Sequence, residues 1–180
     1  MQGAKFTVKE TYQESNNIGD EMYEQIKQLF PICRSITGDG VRQTLKIIKE
    51  KIPIEIKEVP SGTKAFDWTV PKEWNITDAY IKNLKGERII DFQKSNLHVL
   101  HYSIPVRKKI KLQELKEHLY SLPEQPELIP YLTSFYNEDW GFCLSQKQLE
   151  SLNDEEYEIC IDSTLKDGHL TYGELEIKGE

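Results

Sequence analysis

The sequence has 180 residues and a formal net charge of −7 at pH 7. This acidic balance argues against a nucleic-acid-binding module, which depends on a strongly basic surface. No apolar run approaches the roughly 20 residues of a membrane-spanning helix, so neither nucleic acid nor a membrane is expected as a partner. The length allows one domain, or one domain with an insertion, and is sufficient to bury a core.

The three cysteines, Cys33, Cys143 and Cys160, are odd in number and widely spaced. That pattern indicates free thiols rather than a framework of disulfide bonds. The N-terminus also lacks the apolar core of a signal peptide. Together these features predict a cytoplasmic protein.

The first helix is predicted after a polar lead-in. Residues 1–17 are polar and predict a loosely attached segment with one short strand at residues 5–10. Four apolar residues then recur at helical spacing: Met22, Ile26, Leu29 and Phe30. The helix should end before Pro31, because the residue before a proline is pushed out of the α region. A second apolar stripe predicts another helix that ends at Pro53: Val41, Leu45, Ile48 and Ile52.

The connection between these two helices contains the string CRSITGDG. Gly38 and Gly40 allow positive φ, and Thr37 or Asp39 is expected to cap the second helix. One interpretation is a simple corner between helices. The other is a loop that lines a pocket, in which the helix N-terminus and Arg34 attract a carboxylate.

An aromatic stretch follows. Phe66, Trp68 and Val70 alternate with polar residues and predict a strand, and Trp74 comes shortly after. Three large aromatic residues in nine positions are typical of a core or of a junction between domains. They are also compatible with the wall of a substrate pocket, because pockets are mostly aromatic and apolar.

The remaining elements are mostly strands. Apolar patterns predict them at residues 54–57, 79–83, 87–92, 96–104, 131–136, 140–144, 157–162 and 169–177, with 131–136 and 140–144 forming a pair. A helix with leucines at helical spacing is predicted over residues 112–122, after a basic run that we interpret as solvated. Ser145 and Gln148 predict a capping box that opens a short helix.

The histidines do not predict a metal site. His98 and His101 stand three positions apart in the predicted strand 96–104, and side chains that far apart point to opposite faces of a strand. Zinc-binding helix motifs, nucleophile elbows and phosphate-binding loops are all missing from the sequence. The residues alone therefore predict an α+β domain of unassigned role.

Several strings together resemble one known family: PICRSITGDGVRQTLKIIKEKIP, FDWTVPKEWNI, NLHVLHYSIPV, LPEQPELIPYLTSFY, DWGFCLS and IDSTLKDGHLTYGELEI. One feature is similar to the entry into the catalytic domain of zinc-dependent aminopeptidases: a helix followed by a proline, the string Arg-Ser-x-Thr-Gly-x-Gly and a second helix. From about Ile18 to its end, the chain resembles the bacterial aminopeptidase-like proteins that are found with polysaccharide-biosynthesis genes.

The resemblance implies an α+β fold in which a partial α/β zinc-aminopeptidase-like domain is interrupted by a β-rich inserted domain. Residues 18–62 and 154–180 would form the discontinuous peptidase-like part, and residues 63–153 the insertion. The candidates for a substrate pocket are Arg34, Thr37, Asp67 and Trp68.

The family's chemistry is peptide-bond hydrolysis by water that two metal ions activate. The resemblance implies that this chain ends before the first metal ligand. We therefore expect zinc in the full-length protein and none bound by this chain, which would be the N-terminal portion of the hydrolase and inactive alone. The expected partners are the remainder of the peptidase domain, a peptide-like substrate or a second copy of the chain. Two alternatives are a stand-alone binding or interaction module and a non-catalytic family member in polysaccharide biosynthesis.

Overall fold

The computed structural model describes residues 17–153 and 155–179. The predicted strand at residues 5–10 lies outside these ranges. The described residues fall into two units, one that ends at Pro31 and one that begins at Ile32. In the first, helix α1 spans Ile18–Leu29 and ends before Pro31, as the sequence predicts.

Helices and strands are mixed in the second unit, so the predicted α+β class is confirmed. The helices in chain order are α2 Asp39–Lys49, α3 Leu112–Leu115 and α4 Gln146–Glu150. The strands are β1 Glu55–Pro60, β2 Lys64–Ala65, β3 Trp68–Thr69, β4 Glu73–Lys82, β5 Arg88–Asp91, β6 Val106–Lys111, β7 Leu119–Tyr120, β8 Phe142–Cys143, β9 Glu156–Lys166 and β10 His169–Glu174. None of the helices in the described ranges has the length and apolar character needed to cross a membrane.

The largest sheet is antiparallel, with the strand order β5-β4-β9-β6. Ala79 pairs with Ile161 and Ile81 with Ile159 across the two central strands. Because side chains alternate along a strand, these residues share one face of the sheet and are fully buried in the core. The other core residues include Ile90, Ile110, Leu115, Phe142, Leu144 and Tyr157.

A separate antiparallel ribbon joins β1 to β10, and the loop before α2 lies beside β10. Thr37 forms an isolated bridge with Leu170, and the Thr171 amide donates to the Ile36 carbonyl at 3.2 Å. The loop is thus fixed to the end of the described chain, although more than 130 positions separate the two in sequence.

Three predicted strands are wrong. Residues 96–104 form a 3-10 turn at Asn96–His98 and then an irregular segment in which Tyr102 has φ of 67°. Residues 131–136 end in a turn, and their only bridge in the described structure joins Thr133 to His101. The predicted strand through Phe66 is replaced by the hairpin β2–β3. In residues 96–104 the side chains of His98, His101 and Tyr102 are all buried, so contacts with distant residues rather than local alternation determine that backbone.

The predicted helix over residues 112–122 is also too long. Helix α3 ends at Leu115, a 3-10 turn follows at Lys116–His118, and β7 begins at Leu119. Strand β8 pairs in parallel with β7 rather than with residues 131–136. The capping box is confirmed, because Ser145 and Gln148 exchange side-chain and backbone hydrogen bonds at the start of α4.

Candidate functional site

The loop before α2 and the first turn of α2 are packed so tightly that the glycine in each cannot be replaced without a clash. Gly38 has φ of 89°, and a Cβ atom there would lie 2.2 Å from the Trp74 carbonyl oxygen. A Cβ atom on Gly40 would lie 2.0 Å from the Cys33 carbonyl oxygen. Real Cβ atoms do not approach backbone oxygens this closely, so the chain requires glycine at both positions.

The predicted cap of α2 is wrong. Gly38 occupies the N-cap, and the Asp39 amide donates to Asn75 Oδ1 at 2.7 Å. Thr37 instead turns its hydroxyl into the protein, where it lies 2.6 Å from the Tyr102 hydroxyl and accepts from the Trp74 amide at 3.1 Å. Strand β4 therefore supplies the capping group that we expected from the loop itself.

A charged clamp holds α2 against the strands. Both terminal nitrogens of Arg42 donate to the two carboxylate oxygens of Glu73, and Arg42 also reaches Glu58 and Asp39 at 3.1 and 3.0 Å. The hydrogen bond to Glu73 is the main reason that the pKa of Arg42 is raised. The same hydrogen bond is the main reason that the pKa of the Glu73 carboxyl is lowered, so both groups remain ionised.

Six rings lie next to this loop and form what we call the aromatic cluster: Trp68, Trp74, His101, Tyr102, Tyr131 and Tyr136. Successive ring centroids are 6.3 Å apart for Trp68–Tyr136, 4.5 Å for Tyr136–Tyr102, 5.7 Å for Tyr102–Trp74, 5.4 Å for Trp74–His101 and 4.8 Å for His101–Tyr131. Trp74, His101 and Tyr102 are buried, whereas the other three rings are exposed. The cluster therefore has a rigid buried floor and an accessible surface.

The floor of the cluster contains a neutral cysteine–histidine pair. Cys33 Sγ lies 3.7 Å from His101 Nε2, while His101 Nδ1 is buried without a hydrogen-bond partner. Burial raises the pKa of the Cys33 thiol to about 11 and lowers that of His101 to about 4. Because neither group is charged near neutral pH, the pair does not have the thiolate that nucleophilic catalysis requires.

The structure connects two of the four predicted pocket residues. Thr37 contacts the Tyr102 hydroxyl, and the Tyr102 ring contacts Tyr136, against which Trp68 packs. Asp67 lies in the exposed turn of the hairpin β2–β3. Arg34 is exposed, and its Nη1 donates to the Ile32 carbonyl at 3.3 Å.

His101 and the three tyrosines of the cluster are site residues that the sequence did not predict. The aromatic string PYLTSFY contains Tyr131 and Tyr136 and was the signal that could have indicated these two. We interpreted it as a strand, and a strand would have divided its aromatic side chains between two faces.

Two turns beside the cluster have unfavourable backbone geometry. Phe66 occupies the first position of the two-residue loop in the hairpin β2–β3, with φ of 56°. Phe135 and Tyr136, with φ of 52° and 70°, are the central residues of a turn that the Asn137 amide closes by donating to the Ser134 carbonyl. Glycine or asparagine normally occupies such positions, and an aromatic residue there costs on the order of 1–2 kcal/mol.

The described residues do not fit the zinc site expected for the resembled family. Within residues 17–153 and 155–179, no three histidine, cysteine, aspartate or glutamate side chains are grouped so that they could hold a metal ion. A zinc site needs about three or four such ligands within a few ångströms.

Comparison with known proteins places the chain in a family of domains. Residues 73–164, more than half of the chain, match the family described as "Domain of unknown function (DUF2172)". The chain belongs to this family. The match begins at β4 and ends within β9, so it includes the two central strands of the large sheet.

Two relatives confirm the resemblance to aminopeptidase-like proteins. A protein of Clostridium acetobutylicum named "Putative polysaccharide biosynthesis protein with aminopeptidase-like domain" is 59% identical over 168 residues, which cover 93% of this chain and 39% of the relative. A crystal structure at 2.37 Å resolution of a "putative peptidase" from Clostridium acetobutylicum is similar with a TM-score of 0.87 and 57% identity. That match covers 92% of this chain and 39% of the solved chain. The present chain thus spans about two fifths of the length of the relatives that it matches.

Proposed function

We propose that this chain is the N-terminal portion of a zinc-dependent, aminopeptidase-like hydrolase that acts in polysaccharide biosynthesis in the cytoplasm. The observation that carries the proposal is the 59% identity to the Clostridium acetobutylicum protein, whose name contains the terms "polysaccharide biosynthesis" and "aminopeptidase-like". The three free thiols of the chain suit the reducing conditions of the cytoplasm.

In this proposal the chain binds substrate, and the bond-breaking groups belong to the rest of the enzyme. The accessible rings of Trp68, Tyr131 and Tyr136 offer an apolar surface for the part of the substrate that does not react. The neutral Cys33–His101 pair lies beneath that surface and holds the ring of Tyr131 by an edge contact. Contacts with a non-reacting part of a substrate position the scissile bond and thereby raise the rate.

The remainder of the peptidase domain is the proposed partner of the exposed apolar side chains. Along α1, Met22, Tyr23 and Ile26 are all exposed, and Leu175 and Ile177 are exposed after β10. Each of these two groups of exposed apolar side chains, taken by itself, is typical of a surface that another protein segment covers. The alternative cover is a second copy of this chain.

The proposal is tested with two proteins. Zinc content and hydrolysis of an aminoacyl-nitroanilide are measured for the 180-residue chain and for the product of the complete reading frame in which this sequence occurs. We expect stoichiometric zinc and hydrolysis only in the longer product. Tight stoichiometric zinc in the 180-residue chain, or neither zinc nor hydrolysis in a longer product, would overturn the proposal.

A second candidate is a binding module without catalytic activity. The observation that favours it is the pairing of an accessible aromatic cluster with the lack of a metal-ligand group in the described ranges. A reading frame that stops at Glu180, together with ligand binding by the 180-residue chain, would support this candidate over the enzyme.

A further inference from the structure

The two aromatic turns beside the cluster have side chains that neither turn chemistry nor core packing explains. Phe66 is fully exposed, and Phe135 is 77% exposed, so neither ring contributes to the core. Both have the positive φ that favours glycine or asparagine. The fold thus places bulky rings in solvent where smaller residues would be more favourable.

This combination indicates contact with a ligand. Unfavourable backbone geometry that folding does not require persists at sites where function requires a particular side chain. Each turn also brings a second ring to the surface, Trp68 from the hairpin and Tyr136 from the other turn. These two rings pack against each other with centroids 6.3 Å apart, so the turns belong to one surface.

We propose that the two aromatic turns bind the sugar rings of an amide-bearing saccharide, a substrate class that rests on the proposed function. An aminopeptidase-like enzyme hydrolyses amide bonds, and polysaccharide biosynthesis provides substrates that contain sugar. A sugar ring has apolar C–H faces that stack on aromatic rings, and hydroxyl groups at its edge that donate to carboxylates.

The surface suits a sugar better than an extended peptide. One way in which an extended peptide binds is by adding a strand to a sheet edge, and β2 and β3, with two residues each, offer too short an edge for this. The turns instead present ring faces, and exposed Asp67 lies between Phe66 and Trp68 as an acceptor for hydroxyl groups.

The test measures sugar binding by the 180-residue chain and by three variants. Tryptophan fluorescence is followed while N,N′,N″-triacetylchitotriose, maltotriose or trileucine is added. The variants Phe66→Gly and Phe135→Asn remove one exposed ring each and relieve the positive φ. The matched control is Leu84→Asn, because Leu84 is 71% exposed in the turn between β4 and β5.

We expect the wild-type chain and the Leu84→Asn control to bind N,N′,N″-triacetylchitotriose, which carries both sugar rings and amide groups. Phe66→Gly and Phe135→Asn should bind it at least tenfold more weakly, with melting temperatures equal to or above that of the wild type. A structural role of these rings would lower the melting temperature instead, so the two measurements separate ligand contact from folding.

Three results would overturn the inference: no binding of N,N′,N″-triacetylchitotriose by the folded wild type, unchanged binding by both ring variants, or binding of trileucine alone. Hydrolysis by the full-length product is measured separately. Hydrolysis without sugar binding would contradict this inference and leave the proposed function. Sugar binding without hydrolysis would contradict the proposed function and leave sugar binding by the aromatic turns.

Discussion

Mild acid should destabilise this protein through His101, which is buried as a neutral imidazole. Burial lowers its pKa to about 4, whereas an imidazole in an unfolded chain has a pKa of about 6.5. Between these two values the unfolded state binds more protons than the folded state does. The stabilising contribution is therefore complete above pH 6.5 and is lost as the pH falls towards 4.

The size of this effect follows from the two pKa values. A pKa difference of about 2.5 corresponds to about 3.4 kcal/mol when the imidazole has titrated fully in both states. By pH 5 about 2 kcal/mol of that stability should already be lost. The groups that face the ring do not offset this effect, since burial raises the pKa values of Cys33 and Tyr131 and both stay neutral throughout.

The assay is urea unfolding of the wild type and of His101→Leu at several pH values between 8 and 4.5. Other titrating groups, including buried His98, are common to both proteins and cancel in the difference between their free energies of unfolding. Between pH 8 and pH 5 the free energy of unfolding of the wild type should fall by about 2 kcal/mol more than that of His101→Leu. If the two proteins lose stability in parallel over this range, His101 is not buried as a neutral group and the reasoning fails.

Three further substitutions test the packing around the loop by the free energy of unfolding. Gly40→Ala should cost about 1–3 kcal/mol, because its Cβ atom would overlap the carbonyl oxygen of Cys33. Trp74→Ala should cost about 3–5 kcal/mol, because the ring is buried and its Nε1 donates to a backbone carbonyl at 3.0 Å. Arg42→Lys should cost about 1–2 kcal/mol, since lysine keeps the charge but loses the paired hydrogen bonds to Glu73.

Each of these substitutions has a matched control or a contradicting result. Gly19→Ala introduces a Cβ atom with nothing within 4 Å and should change stability by less than about 1 kcal/mol. Trp68→Ala should cost clearly less than Trp74→Ala, because Trp68 is 37% exposed on a short hairpin. Equal losses for the two tryptophans, or an Arg42→Lys variant as stable as the wild type, would contradict the described packing.

Much of the sheet could be predicted because its signals are local. The strand ends near Lys85-Gly86, the alternation through residues 157–162 and the capping box at Ser145 all depend on neighbouring residues in the sequence. The partners of the strands could not be predicted in the same way. Strand β9 pairs with β4 and β6, and this choice depends on apolar faces that meet only in the folded protein.

The candidate site was predicted only in part for the same physical reason. Thr37 and Trp68 were identified from a glycine-rich loop and an aromatic stretch, both of which are visible in the sequence. His101 and Tyr102 were missed because the alternating apolar pattern of residues 96–104 predicts a strand. Their positions result from hydrogen bonds to distant groups, such as the one between the hydroxyls of Tyr102 and Thr37.

The placement of β9 beside β4 also affects how the protein is made on the ribosome. Strand β5 follows β4 closely and can cover one edge of it at once, but β9 begins about 75 residues after β4 ends. At roughly 5–20 residues per second, synthesis of that stretch takes on the order of 4–15 s. During this time the second edge of β4 has no partner, and Trp74 and Ile81 lack part of their final cover. Slower translation of the intervening segment would prolong the period in which the nascent chain depends on chaperones to avoid aggregation.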